Sequence, residues 1–230
     1  MVLTKQEITV FYKLWYALVW GINEKHEFVP RFQKPVYGQS VSKEPFIVIR
    51  EEIWKKPELI TEFIQDNEYG DFTEAELGIL ADWRDNFVKD KFIIVKHLTK
   101  YSIFMTFEDT ASLYAVHGIT DPISEAVPYP IPLMVEAVLL PFNDKIIYDS
   151  LIGAMRVSFG KGMISSIKES YDKAKEKTGI IEDIKLPPQP ITVAKKKASK
   201  RHRKKPSPLL ILKVQTFRKA CLSVTVRLRN

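Results

Sequence analysis

The sequence of 230 residues contains a single cysteine, Cys221, which excludes an internal disulfide and a zinc site made of several cysteines. Charged residues interrupt every apolar stretch well before the roughly 20 residues that a membrane-spanning helix requires. The apolar segment 11–20 is broken by Lys13. A secretory signal would be followed by a cleavage site of small residues, and none follows this segment. We therefore expect a cytoplasmic protein without membrane contact.

Acidic residues are missing from the end of the chain. None follows Asp183, whereas residues 186–230 contain 13 lysines and arginines. The whole chain has 35 basic and 28 acidic residues, so residues 1–185 have 22 basic residues and a net charge of −6. A mildly acidic body is thus joined to a strongly basic segment, which we predict to be a disordered tail.

Eight of these cations fall within eleven residues, and we call them the basic cluster: Lys195, Lys196, Lys197, Lys200, Arg201, Arg203, Lys204 and Lys205. Such a run attracts polyanions, which predicts salt-dependent contact with nucleic acid that is independent of base sequence. Phe217 is the only aromatic residue after Tyr171, so side chains that stack on bases are scarce here. One alternative is a solvated tail that touches nucleic acid only incidentally. The other is an out-of-frame translation after about Lys197, because a run of adenines that encodes lysines lets reading frames slip.

Helical periodicity dominates residues 1–89. Two of the predicted helices begin with the spacing of a capping box, Thr4 with Glu7 and Thr73 with Glu76. The four predicted helices span residues 4–22 and 44–55 and the segments that begin at Pro57 and Thr73, with a loop over residues 23–41.

The period changes to that of β-strands after residue 90. Two apolar runs flank Asn143-Asp144 within residues 132–149, which predicts a β-hairpin, and apolar residues on both sides of its first strand are typical of a central strand. The other predicted strands are 91–97, 101–107, 113–117 and 155–159, followed by a helix that begins near Gly160 and is capped by Gly179.

Short strands joined by short turns predict an antiparallel meander or a small barrel, with the last helix covering it. The expected fold class is therefore α+β. We predict a helical region over residues 1–89, an antiparallel β domain with its C-terminal helix over residues 90–185, and a basic, disordered tail over residues 186–230.

The segments LLPFNDKIIYDSLI and FGKGMISSIKESYDKAKEKTGII resemble a recurring segment of uncharacterised prokaryotic proteins, and the resemblance covers residues 90–181. Some of those proteins end in a small cysteine-rich zinc knuckle. This chain has one cysteine and lacks that feature. The resemblance implies no catalytic residue, because none is assigned in the family.

Two glycines flank a lysine in Gly160-Lys161-Gly162, directly before a predicted helix. Backbone N–H groups at such a place can face a phosphate. The spacing differs from that of a Walker A loop, because six residues rather than four separate Gly153 from Gly160, and Lys161 is followed by glycine. The alternative is a strand-to-helix turn that needs glycine for its dihedral angles.

Two histidines form a candidate metal site. His97 and His117 can meet across neighbouring strands and, with Glu108 or Asp109 nearby, hold a metal ion. Two histidines without HxH or HxxxH spacing are more typical of ordinary sheet residues, so we predict no metal.

Three carboxylates, Glu136, Asp144 and Asp149, fall near the predicted hairpin. A turn position explains Asp144. Glu136 is an acid on a mostly apolar strand, and if that side of the strand is covered it needs a partner or a raised pKa, which would indicate a functional site.

Three functions remain open. The first is a non-enzymatic binding or adaptor protein that docks another protein and contacts nucleic acid through its tail. The second is a dedicated nucleic-acid-binding protein whose sheet face presents Tyr101 and Phe104 or Phe107 as stacking platforms. The third is a hydrolase or other enzyme with a carboxylate and histidine site near the hairpin. No Ser-His-Asp, HExxH, GxSxG or dinucleotide fingerprint is present, so we predict no catalytic residue and no cofactor.

Overall fold

The computed structural model describes residues 2–39, 42–66, 68–108 and 110–185. Predictions about the tail and the basic cluster therefore lie outside the described residues. The described part has the predicted α+β class: a group of helices precedes a five-stranded barrel, and a final helix covers one side of that barrel.

The helices before the barrel begin where local signals place them. Thr4 Oγ1 accepts the backbone N–H of Glu7 at 3.3 Å, and Thr73 Oγ1 accepts that of Glu76 at 3.2 Å. Both capping boxes are thus confirmed, and each satisfies an N–H group that has no partner within its helix. The first helix ends four residues later than predicted, at His26. The helices are α1 (Lys5–His26), α2 (Lys43–Lys55), α3 (Glu58–Asp66) and α4 (Glu74–Asn86).

The barrel is closed, with the strand order β1-β2-β3-β5-β4, so that β4 returns to β1. A short helix connects β3 to β4. The strands are β1 (Val88–His97), β2 (Ser102–Thr106), β3 (Leu113–Val116), β4 (Leu133–Phe142) and β5 (Lys145–Met155), and the short helix is α5 (Ile123–Ala126).

The sheet is mixed rather than purely antiparallel, because β3 and β5 run parallel where Val116 lies opposite Ile146. The cause is the placement of β4. It pairs with β1 instead of β3, so its hairpin partner β5 closes the barrel against β3 and runs in the same direction. The contact between β3 and β5 is this one pair, and residues 113–115 of β3 bond to Ile181 instead. The prediction of a small barrel is confirmed, and the prediction that all strand pairs are antiparallel is wrong for this one.

The predicted strand over residues 155–159 is also wrong. β5 continues through Gly153 to Met155, because residues 152–155 pair in register with β4 residues 134–137. Residues 156–160 then lead to α6 (Lys161–Lys177). The predicted C-cap is confirmed, since Gly179 follows the end of α6 with φ of 75°, a left-handed conformation that glycine adopts without steric cost.

The helices and the barrel share one hydrophobic core. Trp15 of α1 and Trp83 of α4 are fully buried together with Phe92 and Phe142 of the barrel. The Trp83 indole N–H donates to the Pro141 carbonyl at 2.9 Å, so its polar group is satisfied inside this core. The helical region consequently packs its apolar side against the barrel.

A second apolar cluster fixes α6 to the outside of the barrel. Ile167 and Tyr171 of α6 are buried against Ile93, Ile103 and Leu113 of β1, β2 and β3. Burial of a large side chain of this kind contributes about 1.5–3 kcal/mol. The helix thus covers the outer surface of β1, β2 and β3.

Candidate functional site

Among the described residues, the most buried charged group is the carboxylate of Asp149 in β5, which is 0% exposed. It accepts the Arg50 Nε–H at 2.6 Å and the Arg50 Nη2–H at 3.3 Å, in the two-pronged geometry that suits a guanidinium. It also accepts the Trp54 indole N–H at 2.7 Å and the backbone N–H of Leu151. All of these neighbours are donors, so the carboxylate is held in its ionised, acceptor-only form.

Burial and the charge of the partner shift the pKa of each group of this pair in opposite directions. Burial raises the pKa of the Asp149 carboxyl, while the Arg50 charge and the hydrogen bonds oppose that rise. Burial alone would lower the pKa of Arg50, but the charge and hydrogen bonds of Asp149, together with the charges of Glu51 and Glu136, outweigh burial and raise the pKa of Arg50. Arg50 Nη1 also donates to Glu51 at 2.7 Å, and Glu51 accepts from Lys89 of β1. The arrangement joins α2 to the barrel and leaves Asp149 with no free lone pair for catalysis.

An irregularity in β5 brings Asp149 to this position. Ala137 pairs with Ile152 and Leu139 pairs with Tyr148, so residues 149–151 together lie opposite Val138 alone. Such a bulge turns side chains out of the regular alternation. Ser150 adopts φ of 71°, and its hydroxyl accepts the Trp15 indole N–H at 3.1 Å. The bulge therefore binds both α1 and α2 to the barrel.

The three carboxylates predicted to lie near the hairpin do not form one group. Asp144 is on the exposed hairpin turn, 3.3 Å from Lys145 Nζ, whereas Asp149 is enclosed beneath α2. Glu136 is half-buried on β4 between Lys91 of β1 and Gly153 of β5. Its negative charge contributes to the raised pKa of Arg50.

The two candidate histidines lie on different sides of the sheet. Ser102 pairs with His97 on one neighbouring strand and with Val116 on the other, so these three side chains share a face and His117 projects from the opposite face. His97 Nδ1 lies 2.8 Å from Ser102 Oγ, and burial lowers the pKa of both imidazoles. Asp109 lies outside the described residues. Within the described ranges, no group of three His, Cys, Asp or Glu side chains is placed to hold a metal ion.

The glycines at residues 160–162 form the start of α6. Gly160 has φ of −69°, which other residues adopt equally well. The backbone conformation therefore does not require glycine at position 160. Ser165 and Ser166 donate to the carbonyl oxygens of Lys161 and Gly162 within the helix, at 3.2 and 3.1 Å. Both hydroxyl protons are thus donated to backbone carbonyls within α6.

The aromatic residues considered as stacking platforms are largely covered. Phe104 is fully buried inside the barrel, 5.8 Å from Phe92 between ring centres. Phe107 is half-buried against the cluster beneath α6, and the Tyr101 hydroxyl donates to Glu182 at 3.5 Å. The outer face of β2 and β3 is therefore packed rather than open.

An apolar groove, which sequence reasoning missed, runs between α6 and the end of the barrel. Its volume is about 190 Å³. We call it the α6 groove, and its lining residues are Val95, Lys96, Pro132, Ile164, Ile167, Lys168, Tyr171 and Asp172. Ile164 is 44% exposed at its rim, while Ile167 and Tyr171 form its buried floor. Other exposed apolar side chains, Tyr129 and Ile131, belong to the segment that precedes Pro132.

Positive charge predominates at the α6 groove. Lys96 Nζ lies 4.1 Å from the ring centre of Tyr171, and both residues line the groove. Lys168 lies on the same wall, and Asp172 is the acidic lining residue. Within the described part of the chain, no carboxylate is within ion-pair distance of Lys96 or Lys168.

A weak signal for the groove exists in the sequence. Met163, Ile167, Tyr171 and Ala174 form the apolar stripe of α6, and Ile164 falls just outside it. An isoleucine beside such a stripe indicates a second apolar contact. The other wall, at Pro132, is remote in sequence and gives no local signal.

Comparison of the chain with protein-family models, with curated proteins and with solved structures finds no match. The resemblance of residues 90–181 to a family thus stays a prediction. Among the helices of the described ranges, none has both the length and the apolar composition to cross a membrane.

Proposed function

We propose that the protein is a non-enzymatic binding or adaptor protein of the cytoplasm. Its folded part docks a protein partner at the α6 groove, and its basic cluster adds electrostatic contact with nucleic acid. The observation that carries the proposal is the groove itself, an apolar concavity with an exposed isoleucine at its rim and two lysines on its walls that have no carboxylate partner among the described residues.

The size of the groove favours side chains of a protein over a small-molecule substrate. Pockets for small molecules and cofactors have volumes of about 300–1,000 Å³. The α6 groove, at about 190 Å³, is smaller, and its walls are mainly aliphatic. Exposed apolar surface bordered by polar residues is typical of protein interfaces.

The state of the titratable groups supports a binding role over catalysis. A catalytic acid or base needs a free position for the proton that it transfers. The Asp149 carboxylate is saturated by donors, and Glu7 is engaged by Lys145 and by the N-terminus of α1. These groups hold elements of the fold together.

Charge supports the contribution of the basic cluster. Its eight cations lie in a segment without acidic residues, while residues 1–185 carry a net negative charge. Nucleic acid would therefore be attracted to the cluster and not to residues 1–185.

Photo-crosslinking tests the docking role in the cells that make the protein. We would place p-benzoylphenylalanine at position 164 of the full chain and, as a matched control, at position 48. Ile164 and Val48 are both exposed apolar residues on helices, at 44% and 47%. We expect a discrete protein adduct from position 164 and none from position 48. Equal adducts at both positions, or none at position 164, would overturn the proposal.

A further inference from the structure

We infer that the α6 groove recognises an acidic amphipathic α-helix of a partner protein. This inference rests on the proposed docking function and adds the chemistry of the partner. Three features of the groove lead to it: a helical wall, a row of apolar contact points and an excess of positive charge.

One wall of the groove has helical spacing. The lining residues of α6 are spaced three, one, three and one positions apart, so they share one side of the helix over more than two turns. They are Ile164, Ile167, Lys168, Tyr171 and Asp172. At 1.5 Å per residue this wall is about 12 Å long. The opposite wall consists of Val95, Lys96 and Pro132 of the barrel. A trough of this form is the usual seat of an amphipathic helix, whose anchors repeat at three and four residues.

The apolar contact points specify the buried side of that helix. Ile164 stands at the rim and Ile167 forms the floor, so a side chain inserted between them and Pro132 would be covered on several sides. The volume of about 190 Å³ suits the ends of one or two large apolar side chains. We therefore expect two or three apolar anchors on the partner helix.

The charges specify its polar side. The groove is lined by two cations, Lys96 and Lys168, and by one acid, Asp172, and neither lysine has a carboxylate partner among the described residues. Carboxylates on the partner would meet Lys96 and Lys168, while Asp172 disfavours an acid at its own end of the groove. Complementary charge of this kind sets partner choice and the rate of association.

The same contacts argue against a nucleobase in this place. Base stacking requires an open aromatic face. The Tyr171 ring is only 5% exposed with the Lys96 ammonium above it, and the exposed Tyr129 ring has the Arg156 guanidinium near it. The remaining walls are aliphatic, which suits protein side chains.

A displayed library of random peptides of about 15 residues, a length at which isolated helices become marginally stable, tests the inference. The library is selected on the full chain and counter-selected on the full-length Ile164→Glu variant. The counter-selection removes peptides that bind only to the basic tail. Ile164 is 44% exposed, so this variant should fold, and thermal unfolding checks that it does.

We expect the enriched peptides to have apolar residues at helical spacing flanked by Asp and Glu. They should bind the full chain at least about tenfold more tightly than either Ile164→Glu or Lys168→Glu, and should bind the Val48→Glu control unchanged. Failure to enrich any peptide, enrichment of basic or non-helical peptides, or equal binding to Ile164→Glu would overturn the inference.

A short oligothymidylate is the competing ligand. Binding that is lost in Ile164→Glu would assign the groove to nucleic acid and would also contradict the inference. The two proposals fail separately. If the crosslinked partner contacts position 164 with a segment that is not an acidic helix, the docking function stands and the partner chemistry is wrong.

Discussion

The Arg50 guanidinium and the Asp149 carboxylate form a hydrogen-bonded ion pair with an Nε–Oδ2 distance of 2.6 Å, enclosed between α2 and β5. The two side chains are 7% and 0% exposed. Residues 99 positions apart in the chain are thus joined at the boundary between the helices and the barrel. Loss of one partner would leave the other charge buried and unpaired.

The ion pair predicts a large effect of Arg50→Met on stability. We expect the free energy of unfolding to fall by about 3–5 kcal/mol, because the buried Asp149 charge loses its counter-ion. Urea unfolding at neutral pH, followed by circular dichroism, measures the change. The control is Lys55→Met on the same helix, whose exposed pair with Glu52 should contribute much less to stability.

A double-mutant cycle completes that test. Arg50→Met with Asp149→Leu removes both charges, so the double variant should be more stable than the sum of the single effects predicts. If the effects simply add, or if Arg50→Met costs no more than Lys55→Met, the pair does not join α2 to the barrel as described.

The hydrogen bonds that Glu7 accepts from Lys145 and Thr4 predict that the protein loses stability in acid. Burial alone would raise its pKa, but hydrogen bonds from Lys145 and Thr4 outweigh this and lower the pKa from 4.5 to about 2. Because the folded pKa is below the unfolded one, the contribution of Glu7 is fully present above pH 4.5 and disappears as the pH falls toward 2.

We therefore expect Glu7→Gln to lower the free energy of unfolding by about 1 kcal/mol at pH 7 and by almost nothing near pH 2. Denaturant unfolding of both proteins across this range measures the difference. Glu169→Gln is the control, since Glu169 forms an exposed pair with Lys173 on α6. An effect of Glu7→Gln that is the same at both ends of the range would contradict the assigned hydrogen bonds.

The basic cluster predicts how nucleic-acid binding depends on salt. Each neutralised phosphate of duplex DNA contributes about −0.9 to the slope of log affinity against log salt. Replacing the eight cations of the cluster by glutamine should flatten this slope by several units and weaken binding equally for unrelated sequences. Lys161→Gln should leave the slope almost unchanged. Fluorescence anisotropy with labelled duplexes at several salt concentrations measures it.

That experiment requires the native reading frame, which the intact mass of the protein from its source cells determines. A mass that matches the sequence through Asn230 removes the out-of-frame alternative. Suppose that the mass fits but that the variant with all eight cations replaced by glutamine retains the salt dependence of the unmodified chain. The basic cluster is then not the electrostatic contact with nucleic acid.

Local signals in the sequence predicted local structure well. The pairs Thr4 with Glu7 and Thr73 with Glu76 placed two helix starts, because a capping box needs only four consecutive residues. Asn143-Asp144 placed the hairpin for the same reason, and Asn143 adopts the left-handed φ of 54° that such a turn uses. In each case the partners are close together in the sequence.

Features that depend on distant residues could not be predicted. The Asp149 carboxylate meets Arg50 only because a bulge in β5 turns it toward α2, and no local pattern indicates that bulge. The parallel pairing of β3 with β5 follows from barrel closure between β1 and β4. The α6 groove likewise exists only once α6 lies beside Pro132.

The affinity of the crosslinked partner for the purified full chain tests the docking function most directly. Isothermal titration calorimetry would compare the unmodified chain with Ile164→Glu and Val48→Glu, after unfolding measurements show that all three are folded. We predict that Ile164→Glu weakens binding at least about tenfold, a loss of about 1.4 kcal/mol, while Val48→Glu binds like the unmodified chain. Equal affinity of all three proteins would contradict docking at the α6 groove.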